Sequence, residues 1–559
     1  VERAGEHLAW RDRRTVARRH AGGVSLAIVA PVDQLLLATE VNEWALCAAL
    51  VERDPLHWNG LEELLRAEAW RAAEAAGAGA DPAVHVAPVI EEAAAMARFR
   101  RLAQRESNPR LRALLEAAAA RGLPPIVDES ELSLGAGRGS RIFPLAALPE
   151  VQAVPWAALN DIPTAIVTGS NGKTTTVRLL AACTGAHGWR TAYNCTDGVF
   201  LDDELLVAGD YSGPAGTRRV LRERRAEAAI LETARGGILR RGIAASSADT
   251  AVITNVSADH FGEYGIDDLE GLAAVKFSVA GAVKAHGLLV LNADDAELCA
   301  QAETLEPRFG RTVPLGWFAA DDAAPRLREH RARGGATCGV REGRLSLSRG
   351  GVLHDLGAIA GMPLAMDGIA AYNVANLAGA ALAAISLGVP AATIARVFAR
   401  FGADPRDNPG RLMRFDVNGV KILIDYAHNP DGLRGFLEVA RHLRGPGRLG
   451  LLLGQAGNRK DADIEELARV AARFEPDLVV VKEDEAHLRG RSAAEVPRII
   501  RAELLRLGLA ESALPVTNNE LEAVRLALGW ARPGDVLALP IHSSDARATV
   551  LAMLQAPPR

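Results

Sequence analysis

Cysteine is scarce: five occur in 559 residues (Cys47, Cys183, Cys195, Cys299, Cys338), and none has a partner in C-x-x-C spacing. That excludes a disulfide-stapled scaffold and a cysteine zinc site, and it points to a reducing, cytoplasmic setting. No excess of positive charge exists either. The formal net charge is -5, so nothing electrostatic calls for a nucleic-acid partner. Long apolar runs are missing. The most apolar long stretch, Leu377 to Ala392, is broken by Ser386, Gly388 and Pro390 and reads as a buried helix, not a membrane span. The opening Val1-Glu2-Arg3 lacks the apolar core of a signal peptide. What remains is an ordinary globular composition, 49% hydrophobic and 24% charged. At this length it suggests roughly three or four domains.

The stretch with the clearest chemistry is Thr168-Gly169-Ser170-Asn171-Gly172-Lys173-Thr174-Thr175. It follows the apolar run Ile162 to Val167 and precedes a helical pattern beginning at Val177. Strand, glycine turn and helix are the context of a phosphate-binding loop. Gly169 and Gly172 let the backbone approach a phosphate, and the N–H groups of a helix start point at it. Lys173 supplies a charge for β/γ-phosphates and the Thr174 hydroxyl a ligand for magnesium. Val167 stands where the usual pattern has its first glycine, so this is the shorter Gly-x-x-Gly-Lys-Thr form.

From Asp161 to about Leu291, short apolar runs (228–231, 250–254, 287–291) alternate with helical segments, the pattern of a parallel sheet covered on both faces. Ligand groups then belong at the strand carboxyl ends, where Glu232, Asn255, Asp259 and His260 stand. Glu232 suits magnesium; His260 suits a metal or a base; Lys276 by itself reads as a surface lysine. Asn373 and Asn376 share one face near a helix start, where they cap it or read an adenine edge. A second α/β unit begins near Gly402, with strands at 420–425, 449–453, 478–481 and 536–539, each followed by a polar loop. No Gly-Lys-Thr recurs there.

The first 130 or so residues carry no nameable catalytic pattern. Trp10 to Arg14 with Arg18-Arg19-His20 forms a basic run of helical character, a solvated face before a polyanion site. Leu35 to Trp44 reads as a strand running into a helix capped by Thr39, and 61–76 and 89–104 read as amphipathic helices. Gly135 to Ser140 reads as a turn or linker. Residues 295–360 look less periodic.

Together these residues resemble the Mur ligase family of ATP-dependent amide ligases, from about Ile162 to the C-terminus. The resemblance rests on the phosphate loop, Glu232, Asp259-His260, Lys276, Asn373-Val-Ala-Asn376, Asn408-Pro-Gly-Arg411 and Asp425-Tyr-Ala-His428-Asn429-Pro430. Thr196-Asp197-Gly198, Gly209 to Pro214, Glu232 to Leu239, Glu483-Asp484-Glu485 and Leu488 to Arg491 are similar to its cyanophycin-synthesising branch, and Thr39 to Trp44 resembles the N-terminal domain of that branch. The stretch between Gly135 and the phosphate loop is far too short for the ATP-grasp domain which that branch carries there.

The resemblance implies a multidomain α/β fold. An α+β N-terminal domain (1–155) precedes a P-loop parallel-sheet central Mur ligase domain (156–401) and a Rossmann-like C-terminal domain (402–559). It implies ATP and Mg2+. Gly169, Ser170, Asn171, Gly172, Lys173, Thr174 and Thr175 would hold phosphates, with Thr174 and Glu232 on one magnesium and His260 on a second. Lys276, carbamylated, would support that second metal; Asn376 would touch adenine, Arg411 the γ-phosphate and Asp425 the ribose. Thr196, Asp197, His428, Asn429, Glu483, Asp484 and Glu485 would face substrate. The implied reaction joins an amine, such as an amino acid, to an aspartyl- or glutamyl-type carboxylate through an acyl phosphate, in the cytoplasm, with a homo-oligomer left open. Two other readings stay open: a nucleotide-binding regulator or scaffold without ligase activity, and a simple phosphotransferase or NTPase.

Overall fold

A computed structural model describes residues 1–20, 23–54, 91–259, 261–483 and 488–555. The chain divides into two compact units. The first comprises Val1–Leu132, Phe143–Trp156 and Gly262–Ile266; the second comprises Ser133–Ile142, Ala157–Phe261 and Asp267–Arg559.

In the first unit, helices Glu2–His7, Leu35–Arg53, Glu92–Glu106 and Pro109–Ala119 accompany an antiparallel pair, Thr15–His20 with Gly23–Ile28. Its core gathers Trp10, Leu37, Val41, Trp44 and Phe99, with Trp44 edge-on to Phe99 at 5.9 Å. Two expectations change. The basic run does not continue as a helix: Arg18 and Arg19 lie on a strand, where Thr15 and Val16 favour extended backbone and the Gly23–Ile28 strand supplies a partner. Leu35 to Trp44 is helical throughout, capped backbone-first at Gln34; Thr39 sits inside the helix and its hydroxyl donates back to Leu35 O at 3.3 Å. The helix expected at 61–76 lies outside the described residues.

Two large sheets lie in the described residues of the second unit. Among the described residues the larger has eleven strands. Six neighbours, Leu315–Asp321, Val283–Asn292, Ala248–Ile253, Thr164–Thr168, Ala228–Glu232 and Thr191–Cys195, run parallel, and Ala336–Arg341 joins parallel to Leu315–Asp321. Antiparallel strands then extend both margins: Arg344–Arg349 and Val352–Ala358 on one side, Gly198–Leu201 and Glu204–Ala208 on the other. The sheet is therefore parallel at its centre and mixed overall. The stretch 295–360 looked aperiodic because its last strand is a partly exposed margin without continuous apolar character, joined through tight glycine turns. Thr164–Thr168 lies between Ala228–Glu232 and Ala248–Ile253, so the loops after all three strands open on one edge. The helix Lys173–Ala186 packs against the apolar helix Ala371–Ser386, whose Leu377, Ala380, Ala381 and Ala384 are wholly buried.

The smaller sheet runs Met413–Val417, Val420–Asp425, Val536–Pro540, Leu449–Leu453, Leu478–Lys482, Val516–Thr517, parallel except at its first pair. Side chains alternate between two cores: Leu423, Leu451, Val479 and Ala538 enter one, Ile422, Leu452, Val480 and Leu537 the other. Burial on both faces is why these strands read as unbroken apolar runs. The Gly135–Ser140 stretch is no open linker. It is a packed turn whose Arg138 N–H donates to Ala226 O at 2.8 Å, and Gly137 there takes φ +53°. Among the described residues no helix is long and apolar enough to cross a membrane.

Candidate functional site

The phosphate loop leaves the central strand at Thr168 and enters its helix at Lys173. Gly169 has φ +147° and Gly172 φ +83°. A Cβ at Gly169 would collide with Thr254 Oγ1, and one at Gly172 with Asn376 Oδ1. Both glycines are therefore required twice, by backbone conformation and by close neighbours. The next strand buttresses the loop. Thr254 Oγ1 donates to Asn171 O at 2.6 Å, Asn255 Oδ1 accepts from Asn171 N–H at 2.9 Å, and Ser257 N–H donates to Ser170 Oγ at 3.0 Å. Lys173 Nζ reaches back to Gly169 O at 3.2 Å and Ser170 O at 3.0 Å, so the ammonium lies within the curl of the loop. With first-turn N–H groups that have no intrahelical acceptor, this cradle fits a polyphosphate.

Thr174 Oγ1 donates to Glu232 Oε2 at 2.8 Å and lies 2.9 Å from Thr196 Oγ1. Glu232 is 1% exposed, and burial raises its carboxyl above the ordinary range although Lys173, the Thr174 hydroxyl and Arg411 pull it down. A hydroxyl and a carboxylate so placed form a hard oxygen donor set, the kind magnesium takes. Residues of the 402–555 segment complete this edge. Arg411 Nη2 lies 3.3 Å from Thr196 Oγ1 and 3.5 Å from Thr174 Oγ1, and its guanidinium stacks over Tyr426 at 4.3 Å. Asn408 Nδ2 donates to Thr175 Oγ1 at 3.1 Å, and Asn429 Nδ2 to Asn171 Oδ1 at 2.9 Å.

The structure revises one expectation and places several other expected residues. Lys276 is not a surface lysine: it is 2% exposed, in the last turn of helix Leu269–Lys276. Burial drives its pKa well below the ordinary lysine value, reinforced by Lys173 and Arg235 and opposed by Asp259 and Asp295. His260 lies outside the described residues. Its neighbour Asp259 pairs with Arg459 at 2.9 Å and stands 3.7 Å from His428 Nε2. Asp425 has both oxygens engaged by backbone, Leu412 N–H at 2.7 Å and Ala427 N–H at 2.8 Å, so it ties two loops together. Burial raises its carboxyl against Arg411 and those N–H groups. Asn376 donates to Asn373 Oδ1 at 3.1 Å while abutting Gly172, which puts it under the phosphate loop. Glu483 is buried and accepts from Ala494 N–H; Asp484 and Glu485 lie outside the described residues.

Sequence reasoning missed two arginines. Arg178, one turn past Thr174, donates to Asp197 Oδ2 at 3.1 Å, and Arg547, from helix Ser544–Gln555, donates to Asp197 Oδ1 at 2.7 Å. Burial alone would raise the Asp197 carboxyl, but Arg411, Arg547 and Arg178 together hold it below its usual value. The available signal was an arginine inside the apolar helix pattern Val177-Arg178-Leu179-Leu180. Also unforeseen is a network beneath the Tyr426–Pro430 loop. Lys482 binds Glu520 and donates to Pro540 O at 2.7 Å, while Glu520 accepts from His542 and Ser543 N–H at 2.8 and 2.9 Å.

Residues 167–384 match the family model of the Mur ligase middle domain, and 410–539 that of the Mur ligase, glutamate ligase domain. The chain is 35% identical over 398 residues to a cyanophycin synthetase of Nostoc sp., covering 70% of this chain and 42% of that protein. It thus spans less than half the length of that relative. To a UDP-N-acetylmuramoyl-L-alanyl-D-glutamate–2,6-diaminopimelate ligase of Alkalilimnicola ehrlichii it is 30% identical over 407 residues, 71% of this chain and 74% of that one. Among solved structures, the E. coli FolC complex with DHPP and ADP superposes with a TM-score of 0.50 at 18% identity, over 70% of this chain and 88% of that one, which speaks for the fold alone. With both family models matched in order and the second relative covered over most of its length, the chain belongs to the Mur ligase family.

Proposed function

We propose that this chain is an ATP-dependent carboxylate–amine ligase that forms an amide bond and releases ADP and phosphate. The observation that carries the reading is Arg411, which lies 240 or so positions beyond the phosphate loop and has its guanidinium at the Thr174 and Thr196 hydroxyls. A nucleotide held between a phosphate loop and such a residue is bound by two separate parts of the chain, and closing them together excludes water from an activated carboxylate.

A carboxylate does not condense with an amine at neutral pH because oxide is a very poor leaving group. Lys173 and Arg411 would offset the charge that builds as a carboxylate oxygen takes the γ-phosphoryl group. The amine then attacks the acyl carbon of that acyl phosphate, and phosphate departs. Thr174 and Glu232 would hold a magnesium ion, with His260 and Lys276 serving a second; the metal supplies charge neutralisation on the phosphate oxygens. Burial lowers the Lys276 pKa, which favours the unprotonated amine, the form that adds to carbon dioxide, releasing a proton and leaving an anionic carbamate. The carboxylate is of the aspartyl or glutamyl type and the amine an amino acid; the D-glutamate and 2,6-diaminopimelate in the name of the Alkalilimnicola relative support this pairing.

A phosphate-release screen over amino acids and aspartyl peptides tests this. Release that needs both a carboxylate and an amine is expected. Release without amine would make the chain an NTPase, and nucleotide binding without release under any pairing would make it a regulator.

A further inference from the structure

Asp197 is enclosed by the guanidinium groups of Arg178, Arg411 and Arg547, and the last comes from far along the sequence with no part in the chemistry above. Arg547 and Asp197 are 350 positions apart, with side chains only 10% and 15% exposed. Each oxygen of Asp197 takes one arginine, Arg178 on Oδ2 and Arg547 on Oδ1. Arg547 does a second thing. Its side chain lies on Gly410, where an added Cβ would stand 2.5 Å from Nη1 and 2.8 Å from Cδ. Gly410, at φ +69°, immediately precedes Arg411. Bare backbone at that turn is what admits the guanidinium.

We infer that Arg547 is a positioning residue, a latch that ties the final helix to Asp197 and presses the Asn408–Arg411 turn against the phosphate loop, so that Arg411 reaches Thr174 and Thr196. The inference rests on the ligase reading for its kinetic consequence, though the latch itself is a matter of geometry. Asp197 supplies the anion that lets Arg178, Arg411 and Arg547 stand together beside a site that also contains Lys173; without it the three cations would repel. Each of its oxygens accepts from a different arginine, so it holds the two side chains together. Among the described residues Arg547 hydrogen-bonds to Asp197 and not to Thr174 or Thr196, whereas Arg411 lies beside both. Its loss therefore acts through the placement of Arg411 and leaves the phosphate cradle intact.

The test compares the full chain with Arg547→Gln and Arg547→Lys. Expected for Arg547→Gln is a fall in kcat for substrate-dependent phosphate release of about 30-fold or more, with ADP affinity by fluorescence titration within about 3-fold of the unaltered chain. Arg547→Lys, which keeps a charge for Asp197, should recover most of kcat. Small-angle scattering with saturating ADP should give a larger radius of gyration for Arg547→Gln. Turnover of Arg547→Gln within about 2-fold of the parent overturns the latch. So do equal radii, and so does a parallel loss of ADP affinity and thermal stability that Arg547→Lys does not repair. If the unaltered chain shows no substrate-dependent release at all, the ligase reading fails, and scattering alone decides the latch.

Discussion

Thr174 Oγ1 and Glu232 Oε2 are 2.8 Å apart, a hydrogen bond that joins the first turn of the phosphate-loop helix to the end of the adjacent parallel strand. The same hydroxyl and carboxylate are the chain's candidate magnesium ligands. Glu232→Gln keeps the shape and a hydrogen-bond partner for Thr174 but removes the charge. Magnesium-dependent turnover should fall about 100-fold or more, with an unchanged circular dichroism spectrum. Retained turnover at ordinary magnesium would move the metal elsewhere.

Lys173→Ala should abolish ATP turnover and leave the fold intact. The side chain is half-buried and, among the described residues, its hydrogen bonds go to the carbonyls of its own loop. Its removal costs transition-state stabilisation without opening a core cavity. Parent-like turnover in the purified variant would refute the loop assignment.

Lys276 gives the sharpest contrast. Lys276→Arg keeps approximate length, yet it places an obligate charge at a position only 2% exposed, where burial lowers the lysine pKa. Severe loss of ligation is expected, with a smaller loss for Lys276→Glu, whose carboxylate imitates a carbamate. Phosphate release under saturating substrate, with circular dichroism as the folding control, compares the three proteins. Near-normal turnover in the arginine variant would remove Lys276 from the site.

Burial, followed by the charge of Lys482, lowers the His542 pKa from 6.5 to about 3. The unfolded chain takes up that proton below about pH 6.5 while the folded chain refuses it, so stability falls as pH drops through this window. The melting temperature should therefore be lower at pH 4 than at pH 7, and His542→Gln should lessen the difference. An identical drop in the variant would show that other groups carry the acid sensitivity.

Supplied with aspartate, arginine, ATP and a cyanophycin primer, the chain alone should not lengthen the polymer. It spans 42% of the Nostoc relative, and one phosphate loop supports one ligation chemistry. Gel-detected elongation would show that one site performs both ligations.

Local chemistry made much of this protein legible before any coordinates. The glycine turn, Lys173 and Thr174 announce themselves because backbone approach to phosphate demands those residue types in that order, and strand runs buried on both faces, such as 449–453 and 478–481, must be free of unpaired charge. Residues 344–358 were harder to read, since strands at a sheet margin need no continuous apolar pattern. Thr39 misled for a related reason: a threonine can cap a helix or back-bond inside one, and only the surrounding chain selects between them. The tertiary structure alone decided what long-range packing controls. It buried Lys276, which its neighbours Val275 and Phe277 could not reveal, and used both oxygens of Asp425 as a loop tie. It also brought Arg178, Arg411 and Arg547 around Asp197. The environment of an ionisable side chain depends on groups hundreds of positions away, and no local window of sequence contains them.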